Sequence, residues 1–336
     1  MKTSQLIFKN TFPSHVDLPG QPVLFYDRKL LGFSAAKQFI ETFENRLALD
    51  AGEELKNING LPGVLRQLAE MTQAKSKNTL VFVCLGGGTL GDFVGFLASI
   101  FKRGVRFVQI PSTWIAAVDS SHGGKNALNI GNHKNQIGTF YNPETIFLIR
   151  DLLFYQSASQ LEDCMGEVTK IALIDGEALW KKVLAINRSP KNLWQLLPKL
   201  INAKYKIVKK DPLETKGIRY VLNLGHTIGH AIELSSQISH GKSVAYGLRA
   251  AIDYSVQLKL LSSAELKKIQ KAQLPSSAEL SALLKSVHNW QDLIMSDKKR
   301  SDASAINYVF IKKIGKPVVK KIPASQLIEF CQKTYL

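Results

Sequence analysis

Cysteine is scarce in this 336-residue chain: Cys84, Cys164 and Cys331 form an odd, widely spaced set with no CxxC pair. That excludes a disulfide scaffold and a cysteine-rich zinc module, and three thiols are expected to stay reduced in a cytoplasmic protein. Long apolar runs are lacking too. The stretches at residues 80–85 and 94–101 fall well short of the roughly 20 residues a helix needs to cross a bilayer, so no membrane span is expected. The amino terminus, MKTSQLIFKNTFPS, has only the short apolar patch LIF between polar and charged residues, whereas a secretory signal needs a core of about 7 to 15.

Acidic residues are in deficit: 27 Asp plus Glu stand against 44 Lys plus Arg, a net charge of +17. Residues 1–150 carry +5 of this and residues 151–336 carry +12. Such an excess fits a nucleic-acid surface, a small anionic substrate or a solvated basic face. What is present in quantity is core-forming material, 45% hydrophobic residues against 21% charged. Disorder and collagen are thereby excluded, and the length suggests two domains.

The pattern changes near residue 150. Before it, β-rich runs at 22–26, 46–49, 79–85, 105–110 and 145–149 alternate with helical spacing at 35–43 and 61–71. This is the βαβ signature of an α/β domain with a parallel sheet. After it, helical stretches dominate at 160–174, 178–186, 193–208 and 227–234, and 305–311 with 318–322 read as a hairpin around Gly315 and Pro317. The expected organisation is an α/β domain at 1–150 and a mainly helical domain at 151–336.

Three blocks carry chemistry. The run 79–85 enters Gly86, Gly87, Gly88, Thr89, Leu90, Gly91 and Asp92, followed by a helical pattern. Glycines let backbone amides approach a pyrophosphate and the helix start adds partial positive charge, so a dinucleotide is the natural ligand; a tight structural turn is the alternative. In the second block, residues 111–143, Asp119, Lys125, Lys134 and Asn135 lie in a glycine-rich polar stretch read as a ligand-approaching loop. Its lysines suit a phosphate or carboxylate, against a simple hairpin with solvated lysines. The third comprises GIRYVLNLGHTIGHAIE (217–233) and SHGKSVAYG (239–247). His226 and His230, four apart, share a helix face and suit a metal, and His240 with Glu167 of GEVTK could complete the site, near Arg219 and Asn223.

Together these blocks resemble the 3-dehydroquinate synthase family of NAD- and zinc-dependent sugar phosphate cyclases. The likeness spans nearly the whole chain: AGEELK at 51–56, GGGTLGD, KRG, VDSSHGGKNALN, HKNQIG, GEVTK, RYVLNLGHTIGHAIE, HGKSVAYG and SDKK near 297. It implies a Rossmann-like NAD domain followed by a helical metal domain. It also implies a homodimeric lyase converting 3-deoxy-arabino-heptulosonate 7-phosphate to 3-dehydroquinate and phosphate. The reaction runs through transient oxidation by NAD, β-elimination, reduction and intramolecular aldol closure.

By resemblance the metal, zinc or cobalt, falls to Glu167, His226 and His240, which moves His230 from ligand to substrate contact. His230, Asn223, Lys170 and Asp119 become catalytic, and Lys125, Lys134, Asn135, Arg219 and Lys298 bind substrate. Lys204 joins them when one residue is inserted around Thr215, and Arg103 corresponds to an arginine that reaches a neighbouring subunit's phosphate site. For NAD the resemblance adds Asp27, Glu53, Lys56 and Thr113 to Gly86, Gly87, Gly88, Gly91 and Asp92. Three positions depart from the family pattern: Lys242 stands where an acid is usual, and His122 and Asn126 replace valine and threonine. These changes bear either on substrate fit or on charge alone.

Two enzymatic rivals remain. Another sugar phosphate cyclase, such as a 2-deoxy-scyllo-inosose synthase, would use the same residues on a different sugar. A metal-dependent polyol dehydrogenase would share the glycine turn and metal domain without needing the phosphate-holding lysines. A nucleic-acid binder leaves Glu167, the histidines and the glycine turn without a role, so no nucleic acid is expected.

Overall fold

Strands that are apolar on both faces need cover on both sides, and the amino-terminal part of the chain supplies it. The structure, a computed structural model, describes residues 3–14, 17–131, 133–236, 238–297 and 305–336. The chain divides into two units, Met1–Ser157 and Ala158–Leu336.

The first unit runs through Gln5–Lys9 (β1), Gln21–Asp27 (β2), Ser34–Glu41 (α1), Arg46–Leu49 (β3), Leu61–Met71 (α2), Leu80–Gly86 (β4) and Gly88–Ile100 (α3). It continues with Arg106–Pro111 (β5), Lys125–Ile130 (β6), His133–Phe140 (β7), Thr145–Ile149 (β8) and Arg150–Phe154 (α4). Six strands pair in parallel in the order β1-β8-β5-β4-β2-β3. β4 and β8 are buried at every position, as their unbroken apolar runs require. Alternate residues of β2 feed two cores: Val23 and Phe25 pack with Leu61, Leu68 and Phe93 of α2 and α3. Leu24 and Tyr26 pack with Phe39 and Ile40 of α1 on the other face.

Topology then selects a crevice. The chain leaves β2 toward β3 at one edge, but leaves β4 in the opposite direction toward β5. β2 and β4 are neighbours, Tyr26 opposite Leu85, so their carboxyl ends form the switch point at which open α/β sheets take ligands. Asp27 and Gly86 sit there.

Two features differ from the expectations above. The LIF patch at the amino terminus is β1, an edge strand. The stretch 111–143 contains the hairpin that stood as its alternative reading, the antiparallel pair β6 and β7, and adds a π-helical turn, Ala116–Ser120. Its buried positions include Asn126 and Asn129 as well as Leu128, so the apolar alternation that marks a strand is missing from the sequence.

The second unit comprises Ala158–Asp175 (α5), Glu177–Leu184 (α6), Pro190–Val208 (α7), His226–Ser235 (α8), His240–Gln257 (α9), Ser263–Ile269 (α10), Ser277–Ser286 (α11) and Trp290–Asp297 (α12). The expected hairpin follows as Ala305–Lys313 (β9) and Lys316–Pro323 (β10), and Ala324–Tyr335 (α13) closes the chain. Among the described residues no helix is long and apolar enough to cross a membrane. All three cysteines are free and buried, and burial pushes each thiol above its ordinary value, which leaves them unreactive.

Candidate active site

Glycine brings three motif helices into backbone contact. A Cβ on Gly241 would lie 1.4 Å from the Asp163 carbonyl oxygen, one on Gly166 2.1 Å from that of Gly241, and one on Gly247 1.7 Å from that of Gly225. No side chain fits at these positions, so α5, α8 and α9 approach until their first and middle turns share one pocket of polar groups. Asp163 of α5 also caps α9, accepting the N–H groups of Gly241 at 3.1 Å and Lys242 at 3.3 Å. His240, the first residue of α9, is thereby placed over α5.

At that convergence Glu167 is completely buried. Its Oε1 lies 3.4 Å from His226 Nε2 and 3.3 Å from His240 Nε2, and its Oε2 pairs with the Lys170 ammonium one turn on. His226 points its Nδ1 at the Leu224 carbonyl, 3.3 Å away. His240 Nδ1 meets Glu233 Oε2 at 2.7 Å. Each imidazole is thus held from behind with Nε2 turned to the carboxylate, the arrangement that presets a metal ligand.

Electrostatics agree with that use. Burial alone would raise the Glu167 carboxyl, but Lys170 and the two imidazoles outweigh it and hold the group well below the usual carboxylate range. Burial and the Lys170 ammonium keep His226 below its ordinary value, hence neutral with a lone pair to give. Burial also opposes charge on His240, yet Glu167 and Glu233 reverse this and push it up to about 10, so an incoming cation displaces a proton there. One carboxylate and two imidazole nitrogens fit zinc or cobalt.

A second group with metal-ligating reach is His230, Glu233 and His240. Spacing along α8 favours the His226–His230 pair, but burial separates the two groups: Glu167 is inaccessible while His230 is exposed. The His230 ring stands 5.1 Å from that of His226 and 6.1 Å from that of His240, placed to touch something bound at the cluster.

The sequence motifs leave Glu233 unmarked, although it falls three after His230 and seven after His226, on the same helix face. Glu233→Gln is expected to weaken zinc binding by about 10- to 100-fold, read by competition with a chromogenic chelator. Asp211 is a second such residue. Completely buried, it accepts the backbone N–H groups of Lys216, Ile218 and Arg219 at 3.1, 3.0 and 3.3 Å. It so shapes the turn that carries Arg219, which is buried and donates to the Pro212 carbonyl, and Asn223, which is exposed. Lys170 is buried on α5 and Lys204 on α7. Lys298 lies outside the described residues.

In the first unit, Gly86 ends β4, Gly87 precedes α3 and Gly88 opens it; no side chain caps the helix and its first turn holds no acid. A Cβ on Gly87 would stand 3.2 Å from the Thr113 methyl. The bare amides at the switch point fit a dinucleotide pyrophosphate. Asp27 at the end of β2 accepts the Lys29 N–H, and Lys56 Nζ pairs with Asp92 at 2.5 Å. Gly91 lets α3 press on Gln109 of β5, whose Nε2 would be 2.2 Å from a Cβ. Asp119 lies in the π-helical turn, a form enriched at functional sites. Lys125 opens β6, Lys134 and Asn135 lie on β7, and Arg103 is exposed at φ +62°.

The three departures now have locations. His122 is buried with Nε2 2.8 Å from the Ala117 carbonyl. Asn126 donates to the Gly124 and Tyr141 carbonyls at 3.0 and 2.9 Å, and fills the space left by Gly95, where a Cβ would be 1.9 Å from its Oδ1. Both fasten the backbone around the hairpin. Lys242 is exposed.

Known proteins share this layout. Residues 46–163 match the family model for the 3-dehydroquinate synthase N-terminal region, and residues 164–300 that for its C-terminal region. A 3-dehydroquinate synthase of Campylobacter concisus is 33% identical over 277 residues, 82% of this chain and 79% of its own. One of Leptospira interrogans is 36% identical over 282 residues, 80% of this chain and 75% of its own. In fold, the chain is similar to a 2-epi-5-epi-valiolone synthase from Streptomyces hygroscopicus solved with NAD+ and Zn2+ (TM-score 0.81, 19% identity, 99% of this chain and 97% of that one). It is similar too to a 2-deoxy-scyllo-inosose synthase complexed with carbaglucose-6-phosphate, NAD+ and Co2+ (TM-score 0.78, 24% identity, 98% and 96%). With a parallel six-stranded α/β domain, a helical domain whose Glu167, His226 and His240 could hold a metal, and relatives matched over most of their length, the chain belongs to the 3-dehydroquinate synthase family, NAD- and metal-dependent carbon–oxygen lyases.

Proposed function

We infer that the chain converts 3-deoxy-arabino-heptulosonate 7-phosphate to 3-dehydroquinate and inorganic phosphate, as a cytoplasmic homodimer using NAD and zinc or cobalt. The observation that carries this reading is the buried Glu167 facing two oriented imidazoles on the helices of the family's motifs. When bound, NAD and the metal supply a reversible hydride acceptor and a Lewis acid.

The chain's own residues do the rest. Glu167, His226 and His240 hold the metal, and Asp27, Glu53, Lys56, Thr113 and the Gly86–Gly88 turn hold the dinucleotide. Lys125, Lys134, Asn135, Lys298 and an Arg103 contributed across a dimer interface bind the phosphate as fixed charges and donors. Lys204 and Arg219 hold the substrate's remaining oxygens. Oxidation of one substrate hydroxyl to a ketone acidifies the neighbouring C–H, and phosphate leaves by β-elimination, itself accepting the proton. The ketone is then reduced, the ring opens and an intramolecular aldol closes the carbocycle. His230, with Asn223, Lys170 and Asp119, orients the reacting hydroxyls and carries a proton at an imidazole nitrogen, a task imidazole suits because either ring nitrogen can take or give one.

The test is an incubation of purified protein with NAD, zinc and the heptulosonate phosphate, following phosphate and dehydroquinate together. Equal release of both without accumulation of NADH is expected. Lys125→Ala should raise KM for the sugar phosphate by about 10-fold or more, the loss of one charge-assisted contact. Stoichiometric NADH from an unphosphorylated polyol would instead establish a dehydrogenase. Turnover of glucose 6-phosphate alone would establish a different cyclase.

A further inference from the structure

Asn129 is a buried polar residue on β6 that none of the roles above uses, and its side chain ties two segments together. Its amide nitrogen donates to Glu53 Oε2 at 2.9 Å, and its amide oxygen accepts the backbone N–H of Asn135 at 2.9 Å. Its own N–H donates to the Lys56 carbonyl at 2.8 Å. A second tie closes the ring: Lys56 Nζ donates to Asn135 Oδ1 at 2.7 Å. Asn135 sits at φ +56°, a left-handed conformation that asparagine tolerates better than other residues with a side chain. Its side chain is thus tied directly to Lys56, and its backbone N–H is tied to Glu53 through the Asn129 amide.

We propose that Asn129 is a positioning residue that couples dinucleotide binding to phosphate binding. The proposal rests on the reading of Glu53 and Lys56 as dinucleotide contacts and of Lys134 and Asn135 as phosphate contacts. A dinucleotide that fixes the Glu53 carboxylate fixes the Asn129 amide, and the amide oxygen fixes the backbone that presents Asn135 and the adjacent Lys134. Asparagine suits the task because one short side chain offers a donor to the carboxylate and an acceptor to the N–H. Aspartate keeps the acceptor but opposes Glu53 with a like charge. Coupling between binding sites is reciprocal, so phosphate must tighten NAD by the factor by which NAD tightens phosphate.

The experiment is calorimetric titration of NAD into the full-length zinc-loaded protein, with and without saturating inorganic phosphate. The parent protein is expected to bind NAD about fivefold tighter or more with phosphate present, the low end of measured couplings. Lys134→Ala, which lacks the phosphate contact, should show a ratio near one. Asn129→Asp should bind both ligands with the ratio also near one. Adding Glu53→Gln to Asn129→Asp reverses donor and acceptor, so the glutamine amide donates to the aspartate and the ratio returns, whatever happens to absolute NAD affinity. A parent-like ratio in Asn129→Asp, or no rescue in the double variant, overturns the proposal. So does a parent protein that binds both ligands independently. A parent that binds neither ligand overturns the functional reading, and the proposal with it.

Discussion

Glu167→Ala is expected to cut turnover by at least about three orders of magnitude and to strip the protein of zinc. Loss of a Lewis acid removes several kcal/mol of transition-state stabilisation, and each 1.36 kcal/mol is about tenfold in rate. The same change has a second effect, on stability. Glu167 is fully buried and Lys170 beside it is only 2% exposed, so the variant deprives a buried ammonium of its carboxylate partner. Breaking a buried ion pair from one side costs about 3–5 kcal/mol, less whatever is recovered when the lysine gives up its proton. Metal analysis and melting of the metal-free protein, compared with the isosteric Glu167→Gln, separate the two effects. Stoichiometric zinc bound with parent affinity in Glu167→Ala would remove this cluster from consideration as the metal site.

Gly241→Ala is expected to do comparable damage without touching a ligand. The added methyl would sit 1.4 Å from a backbone oxygen of α5, and a helix backbone cannot yield as a flexible side chain can. Overpacking costs about 1–3 kcal/mol in ordinary cores, and the upper end applies here, lowering the melting temperature by about 6–12 °C for a unit of this size. His240 precedes Gly241 and must move with α9, so zinc affinity should fall by about tenfold or more. Gly63→Ala is the natural comparison. It lies within α2 with no atom within 4 Å of the new methyl, and should stabilise by about 0.5–1 kcal/mol through helix propensity. Equal melting temperatures and zinc affinities for the Gly241 variant and the parent would refute the close-approach account.

These two sites also mark what can be read from residues alone. The parallel sheet is legible because β4 and β8, buried on both faces, leave uninterrupted apolar runs. The metal motifs are legible as words, but the meaning of their glycines is not, because a backbone-to-backbone approach leaves no pattern in one helix. Histidine spacing suggests His226 with His230, whereas the carboxylate facing His226 and His240 comes from α5, some sixty residues earlier. Asn129 and Asp211 are invisible for the same reason: their value lies in the partners that folding brings to them. The hairpin of β6 and β7 is legible only as the alternative to a loop, because asparagine occupies positions where a strand's apolar face would otherwise announce itself.

The strand order carries a consequence for how the chain is made. Among the described strands β1 precedes the others in sequence, yet among them it pairs in the sheet with β8 alone, Gln5 opposite Thr145. β2, β3, β4 and β5 can assemble on one another as they emerge. β1 must wait, unpaired, for more than a hundred further residues. Until then its apolar edge is exposed to chaperones and to other nascent chains. Polar residues on both sides of LIF, with Lys9 at the strand's end, are the kind of flanks that keep such a waiting strand from aggregating. Slowed translation at any point before β8 has emerged, which includes the start of the second unit while β8 is still in the ribosomal exit tunnel, would lengthen that exposure.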